Sequence, residues 1–151
     1  MADVINFYLV GEEYGEFSNF APYPIQLDGK TWPTTEHYFQ AAKFEDESYR
    51  EKIRKKNSPM QAARMGRDRS QKLRRDWESV KVGIMRAALE AKFAQHVDLK
   101  EKLLATSDAE LVEHTENDCY WADGGDGSGK NMLGILLMEL RSKLQQDGKQ
   151  S

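Results

Sequence analysis

The chain has 151 residues, of which 39% are hydrophobic and 31% are charged, and its formal net charge is −3. This composition predicts a single globular domain over residues 1–151, with a core at about residues 5–144 and a disordered tail from 145 to 151, and it excludes a disordered chain. The longest apolar run, Met132 to Leu140, is too short to span a bilayer. The chain opens without a secretory pattern and has one cysteine, so we predict a cytoplasmic protein.

The N-terminal part of the chain predicts strands. Ile5 to Val10 is rich in β-forming residues. Two short segments, Tyr23 to Leu27 and Lys30 to Trp32, flank Asp28-Gly29, and this dipeptide is typical of a two-residue hairpin turn because both positions need a positive φ. We therefore expect a small antiparallel sheet at the N-terminus.

The middle of the chain predicts helices. Thr34 can cap a helix from about Thr35 to Phe44, and a second helix follows from Glu47 to Lys56. Ser58-Pro59 is a strong helix start, and Gly66 is expected to end that helix. A long amphipathic helix is predicted from about Trp77 to Gln95.

The last third predicts two more helices around one short strand. Asp98 and Glu101 form a possible capping box for a helix through Leu104, and Ser107 with Glu110 repeats this pattern. Leu111 to Thr115 alternates weakly, as a short strand would, and the final helix is predicted from about Asn131 to Leu144. Strands followed mostly by helices indicate a mostly helical α+β fold, with a small sheet packed on several helices.

Positive charge is concentrated in one segment. Residues 50–75 contain 11 of the 22 Lys and Arg residues but only two acids, Glu51 and Asp68, which gives a local charge of +9. A basic segment on an acidic protein indicates an anionic ligand more than general nucleic-acid binding. A solvated, charged helix face is an equally good explanation from composition alone.

A glycine-rich stretch, WADGGDGSGKN, comes close to a phosphate-binding P-loop. Gly124, Gly129 and Lys130 fit the pattern, but Asn131 stands where a Ser or Thr should bind Mg²⁺, and no apolar strand leads into the glycines. The loop can still offer backbone N–H groups to an anion at a helix start. Asn131 can equally be a plain helix cap.

Metal and thiol chemistry have little support. His37, His96 and His114 are scattered without metal-ligand spacing, and Cys119 near His114 is more typical of passive packing than of a nucleophile. We expect neither a metal nor an organic cofactor.

One predicted helix carries a polar stripe suited to proton chemistry. Glu36, Gln40 and Lys43 are spaced i, i+4 and i+7 and therefore share a face, beside His37 and two aromatic residues. An acid and an amine on one face are typical of a pocket that handles protons. In the alternative, Glu36 only complements the helix dipole and Lys43 is solvated.

Several segments together resemble the YbiA family of the NADAR superfamily. The similarity extends from about Ile5 to Leu144. It is carried, in order, by Phe17 to Phe20, Lys30 to Gln40, Ala63 to Arg69, Asp76 to Lys81, Glu113 to Asp118 and Gly129 to Gly134.

The resemblance implies N-glycosidase activity on phosphorylated ribosylaminopyrimidines, which are early intermediates of riboflavin synthesis, with release of ribose 5-phosphate. Some NADAR relatives instead remove ADP-ribose from guanine in nucleic acid. A third hypothesis is a non-catalytic sensor that binds NAD or ADP-ribose and regulates motility. In each case the expected partner is a small molecule or an ADP-ribosylated guanine, without a membrane or a stable protein partner.

Cleavage of an N-ribosyl bond builds positive charge on the sugar, which a nearby carboxylate stabilises. Glu36 is the first candidate for this carboxylate and Asp123 the second. Lys43, or the competing Lys81, offers a Schiff-base route. The candidates for stacking on the base are Trp77, Trp121 and Phe20, although Trp77 is also a good core anchor. The candidates for binding the phosphate are Arg67 and Arg69. The full set of predicted substrate-binding residues is Asn19, Phe20, His37, Arg67, Arg69, Trp77, Lys81, Asp118, Trp121, Gly125 and Asn131.

Overall fold

A computed structural model describes residues 3–149. Within this range the helices are α1 (Thr35–Ala41), α2 (Glu47–Arg54), α3 (Pro59–Gly66), α4 (Trp77–Gln95), α5 (Val97–Ala105) and α6 (Met132–Lys149). The strands are β1 (Val4–Phe7), β2 (Ile25–Leu27), β3 (Lys30–Trp32) and β4 (Glu110–Glu113), and a 3₁₀ turn covers Gly15–Phe17. This is the mostly helical α+β fold that the sequence predicts.

The chain divides into two compact units. One is the continuous segment Asn19–Gln95, and the other combines the first 18 residues with the chain from His96 onward. We call them the central unit and the terminal unit.

The central unit begins with the predicted hairpin. Strands β2 and β3 pair antiparallel, and the two turn residues, Asp28 and Gly29, have φ values of 56° and 76°. The paired residues Ile25 and Trp32 are almost fully buried. The turn therefore places both hydrophobic side chains on the core face, because register fixes the face of every strand residue.

Side-chain caps start the three short helices of the central unit. Thr34 accepts a hydrogen bond from the His37 amide, Asp46 from Ser48, and Ser58 from Gln61. The caps at Thr34 and Ser58 confirm the prediction.

Two of these helices end earlier than predicted. Helix α2 ends at Arg54, two residues before the predicted Lys56, and α1 ends at Ala41, three residues before Phe44. Beyond α1 the chain pairs elsewhere: Phe44 forms a β-bridge with Leu73, and the Arg74 amide donates to the Lys43 carbonyl.

The core of the central unit lies between the hairpin and the helices. Helix α4 has the predicted bounds, and Met85, Leu89 and Phe93 on it are buried. One cluster of buried residues contains Ile25, Trp32, Tyr38, Ala41, Phe44, Tyr49, Ile53, Ala62 and Ala88. Full burial of one large aliphatic side chain stabilises the fold by about 1.5–3 kcal/mol, so this cluster holds α1 in place.

The terminal unit contains a strand pair that the sequence does not predict. Strand β1 pairs with β4 in parallel, with Ile5 opposite Leu111 and Phe7 opposite Glu113. The expected N-terminal sheet was antiparallel, and the hairpin alone fulfils that expectation. Helix α6 covers β4 and buries Leu133, Leu136, Leu137 and Leu140.

Three boundaries in the terminal unit differ from prediction. Helix α5 begins after His96, so Asp98 lies in its first turn and the predicted capping box is wrong. Ser107 has a φ of 58° and is followed by β4 rather than by a helix. Helix α6 continues to Lys149, so residues 145–149 are helical and not disordered, while residues 150–151 of the predicted tail lie outside the described residues.

Candidate active site

The Glu36 carboxylate is buried near the start of α1. The residue is only 9% exposed, and its amide donates to the Asn19 carbonyl at 3.2 Å. The Gln40 side chain donates from Nε2 to Glu36 Oε1 at 2.7 Å. The carboxylate is thus a desolvated group in a defined orientation. Its burial also strengthens its interaction with any nearby charge.

Asn19 connects the loop before the hairpin to two helices. Its Oδ1 accepts a hydrogen bond from Thr35 Oγ1 at 2.7 Å, and its Nδ2 points to Met85 Sδ at 3.5 Å. Asn19 is 7% exposed. These contacts fix the start of α1 and therefore the backbone that carries Glu36.

His37 is fully buried, and both of its ring nitrogens are occupied by the protein. Nδ1 lies 2.8 Å from Thr34 Oγ1, and Nε2 lies 3.0 Å from the Lys56 carbonyl oxygen. Burial lowers the pKa of His37 below its ordinary value of 6.5, and the Lys56 carbonyl offsets part of this effect. In this geometry His37 joins α1 to the chain after α2, although we predicted it to bind substrate.

The buried His37 predicts acid-sensitive stability. Below about pH 6.5 the unfolded chain takes up a proton that the folded chain does not, so stability is lost as the pH falls toward the lowered pKa of the folded state. We expect His37→Gln to make urea-unfolding free energies decline less steeply than in the wild type between pH 7.5 and 5, by up to about 1.4 kcal/mol per pH unit. Equal slopes in both proteins would contradict this assignment.

Lys43 and Trp77, two predicted site residues, lie together. The Lys43 ammonium is 5.7 Å from the centre of the Phe39 ring and 6.0 Å from that of Trp77. The two rings meet edge to face, with centres 5.1 Å apart, and both residues are buried. Aromatic faces attract a cation, so both rings interact favourably with the Lys43 ammonium. Trp77 is therefore a packed residue of the central unit as well as a neighbour of Lys43.

The other basic candidates differ in exposure, and the Lys81 side chain is only 18% exposed. Arg67 and Arg69 are exposed at the end of α3, where Arg69 donates to the Gly66 carbonyl at 3.0 Å. Lys81 forms an ion pair with Glu78 at 2.6 Å. Phe20 is half-buried.

Part of the basic segment is neutralised locally. Arg50, Arg54 and Arg74 pair with Glu47, Glu51 and Asp76, respectively. Of these acids only Glu51 lies within residues 50–75, so the +9 of that segment overstates the positive charge available to a ligand.

In the terminal unit, Asp123 is the centre of a polar cluster. Its carboxylate accepts hydrogen bonds from His114 Nδ1 at 2.7 Å and from the amides of Gly125 and Thr115. Burial opposes ionisation, but these three bonds outweigh it and lower the pKa of Asp123. Asp123 is buried, whereas the His114 side chain is 49% exposed. A buried carboxylate that orients an accessible imidazole was not predicted, because nine residues separate the two in sequence.

The glycine-rich loop uses its amides to hold its own conformation. Gly124, Gly125 and Gly127 have φ values between 75° and 87°. Asp118 Oδ1 accepts hydrogen bonds from the amides of Tyr120 and Trp121. The other loop amides that donate to the chain itself are those of Asp123, Gly124, Gly125, Ser128, Gly129, Lys130 and Asn131. These amides are not available to a phosphate, so the loop does not work as a P-loop.

Asn131 and Trp121 flank the loop. Asn131 precedes α6 with a φ of 53°, and its side chain donates to the Leu111 carbonyl and accepts from the Glu113 amide. It therefore joins the loop to β4 rather than capping α6 with its side chain. Trp121 is half-buried, with its ring centre 4.9 Å from that of Tyr120. Cys119 in the same loop is exposed.

Among residues 3–149, no three His, Cys, Asp or Glu side chains come together as metal ligands would. Over the same described range, none of the helices has the length and apolar character needed to cross a bilayer.

The sequence profile of the NADAR domain matches residues 6–145, so the chain belongs to the NADAR domain family, as its motifs predict. The N-glycosidase YbiA of Escherichia coli K12 is 67% identical over 141 residues, which are 93% of this chain and 88% of that protein. The NMR structure of E. coli YbiA matches with a TM-score of 0.92 at 64% identity, covering 100% of this chain and 90% of that one. A riboflavin biosynthesis protein of Vibrio vulnificus is 43% identical over 97% of this chain, which spans only 40% of that longer protein.

Proposed function

We propose that the chain is an N-glycosidase that hydrolyses the C–N bond between a phosphorylated ribose and an aminopyrimidine base, as found in early riboflavin-pathway intermediates. The names of two relatives, an N-glycosidase and a riboflavin biosynthesis protein, support this reaction class and this substrate class. The exposed Cys119 thiol suits a reducing compartment, which supports the cytoplasm as the place of the reaction.

The observation that carries the proposal is the buried, hydrogen-bonded carboxylate of Glu36. As the C–N bond breaks, its electron pair leaves with the amine and positive charge develops on the sugar. A carboxylate preorganised in a site of low dielectric constant stabilises that charge far better than one in water. Water then adds to the first carbon of the sugar, and a proton goes to the amine, which yields ribose 5-phosphate and the free aminopyrimidine.

Lys43 is better suited to binding than to nucleophilic attack. A lysine must lose its proton before it can attack the sugar and form a Schiff base. The rings of Phe39 and Trp77 instead attract a cationic side chain at this position. We therefore favour direct hydrolysis, in which the Lys43 ammonium donates hydrogen bonds to the sugar or its phosphate.

The test uses the purified full chain and two substrates at equal concentration. With 2,5-diamino-6-ribosylaminopyrimidinone 5′-phosphate we expect ribose 5-phosphate to be released over many turnovers, and with ADP-ribosyl-guanosine we expect a lower kcat/KM. Preference for the second substrate would redirect the proposal to removal of ADP-ribose. Binding of either compound without bond cleavage over long incubation would identify a sensor and overturn the proposal.

A further inference from the structure

The side chain of Gln40 is held in an unusual position between α1 and α3. It is 7% exposed and donates to Glu36 across one turn of α1. Its other polar atom, Oε1, is buried and has no hydrogen-bond partner among residues 3–149. Buried amide oxygens are normally paired, so an unpaired one needs an explanation.

Gly66, at the end of α3, leaves the space that this amide occupies. A Cβ built on Gly66 would lie 1.8 Å from Gln40 Oε1 and 2.6 Å from its Cδ. These distances are far below van der Waals contact, so any side chain at position 66 displaces the amide. Gly66 is helical and does not have a positive φ, so backbone conformation does not require a glycine here.

The hydrogen bond to Glu36 explains both features. An ionised carboxylate only accepts hydrogen bonds, so the NH₂ group of Gln40 must face Glu36, and its oxygen is then left against Gly66. The amide is thereby held in one orientation at the expense of its own second hydrogen bond. Such an arrangement does not optimise stability, but it fixes the direction of the carboxylate.

We propose that Gln40 is a positioning residue that aims the Glu36 carboxylate, and that Gly66 makes room for it. This inference rests on the proposed function, because it assigns a role in the same site. It goes further because it gives a second helix, α3, a part in orienting the Glu36 carboxylate. Gln40 acts through Glu36 and is not itself assigned a contact with the substrate.

The sharpest test is Gly66→Ala, which moves the Gln40 amide while leaving both Gln40 and Glu36 in the chain. Displacing a catalytic group by about 1 Å costs about 10²-fold in rate, so we expect kcat to fall by roughly that factor with KM little changed. Gln40→Met, which removes the donor at similar volume, should have a similar effect. In both variants the acidic limb of the kcat profile should move to higher pH, because the carboxylate loses a donor that favours its ionised form.

Gly83→Ala is the matched control, since a Cβ at that position in α4 meets, apart from its own helix, no atom of the described residues within 4 Å. It should keep wild-type kcat and pH profile. A substrate-free readout is the NMR signal of the Gln40 side-chain amide, whose protons should exchange faster with solvent in Gly66→Ala than in the wild type.

The two proposals fail in different ways. Wild-type kcat and an unshifted acidic limb in folded Gly66→Ala and Gln40→Met, together with an inactive Glu36→Gln, would overturn the positioning role alone. Full activity of Glu36→Gln would overturn the mechanism on which it rests. If the wild type cleaves neither substrate, unchanged amide exchange in Gly66→Ala would still refute the packing argument.

Discussion

Replacing Glu36 by Gln is expected to lower kcat for ribose 5-phosphate release by about 10³-fold. The substitution keeps the shape of the side chain and an oxygen for the bond from Gln40 Nε2, but it removes the negative charge that stabilises the ribosyl cation. Loss of one preorganised electrostatic group costs about 10²–10³-fold, and loss of general acid–base catalysis by the same group adds to that. The measurement is kcat from initial rates at saturating substrate, with thermal unfolding to verify that the variant is folded.

The matched control for this experiment is Glu101→Gln on α5, because Glu101 is an exposed glutamate outside the candidate site. It undergoes the same change of charge and should keep wild-type kcat. Equal losses in the two variants would mean that net charge, and not the Glu36 carboxylate, controls the rate. A Glu36→Gln protein with more than about one tenth of wild-type kcat would remove this residue from the centre of the mechanism.

Replacing Gly134 by Ala is expected to destabilise the protein by about 2–4 kcal/mol. Gly134 lies in α6 where the helix meets β4, and an added Cβ would be 2.0 Å from the Leu111 carbonyl oxygen. It would also be 2.4 Å from Asn131 Nδ2, which donates to that same carbonyl. The Leu111 backbone and the Asn131 side-chain amide, which is held by two hydrogen bonds, cannot move aside easily. Strand β4 and helix α6 must therefore separate. Urea unfolding at pH 7.5 should show a lower midpoint.

Gly83→Ala shows what the same substitution does without a neighbour. Gly83 lies inside α4, and outside that helix no described residue comes within 4 Å of the added Cβ, so alanine should stabilise the helix by about 0.5–1 kcal/mol. Opposite shifts of the two midpoints are the expected result. A Gly134→Ala protein as stable as the wild type would show that α6 does not approach β4 this closely.

Neighbouring residues were sufficient to predict the helices and strands that are determined by short-range contacts. Asp28-Gly29 predicts the hairpin because the turn conformation is a property of those two residues. Ser58 predicts the start of α3 because its side chain reaches an amide only three residues away. The pattern of α4 gives its full length, since the buried residues repeat with the period of the helix.

Long-range pairing accounts for most of what sequence reasoning missed. The parallel partner of β1 lies more than 100 residues away, and nothing in residues 4–7 specifies it. Asn131 looks like a cap from its neighbours, yet its side chain binds backbone groups about 20 residues earlier. Such contacts depend on tertiary packing, which overrides local preference.

The same contrast between local and long-range contacts applies to the candidate site. The i, i+4 spacing places Glu36 and Gln40 on one face, and the structure gives that pair a hydrogen bond. The unpaired oxygen of Gln40 and the space left by Gly66 arise from another helix, so the spacing alone does not reveal them. The proximity of Trp77 to Lys43 likewise depends on how α4 packs against α1.

The division into a continuous and a discontinuous unit has a consequence for synthesis on the ribosome. Residues 19–95 contain all the strands and helices of their unit, so this part can acquire its core while later codons are still being read. Strand β1 precedes its partner by more than 100 residues, so it leaves the ribosome well before residues 110–113 emerge. Until then the edge of β1 is unpaired, and an unpaired strand edge is open to pairing with other chains.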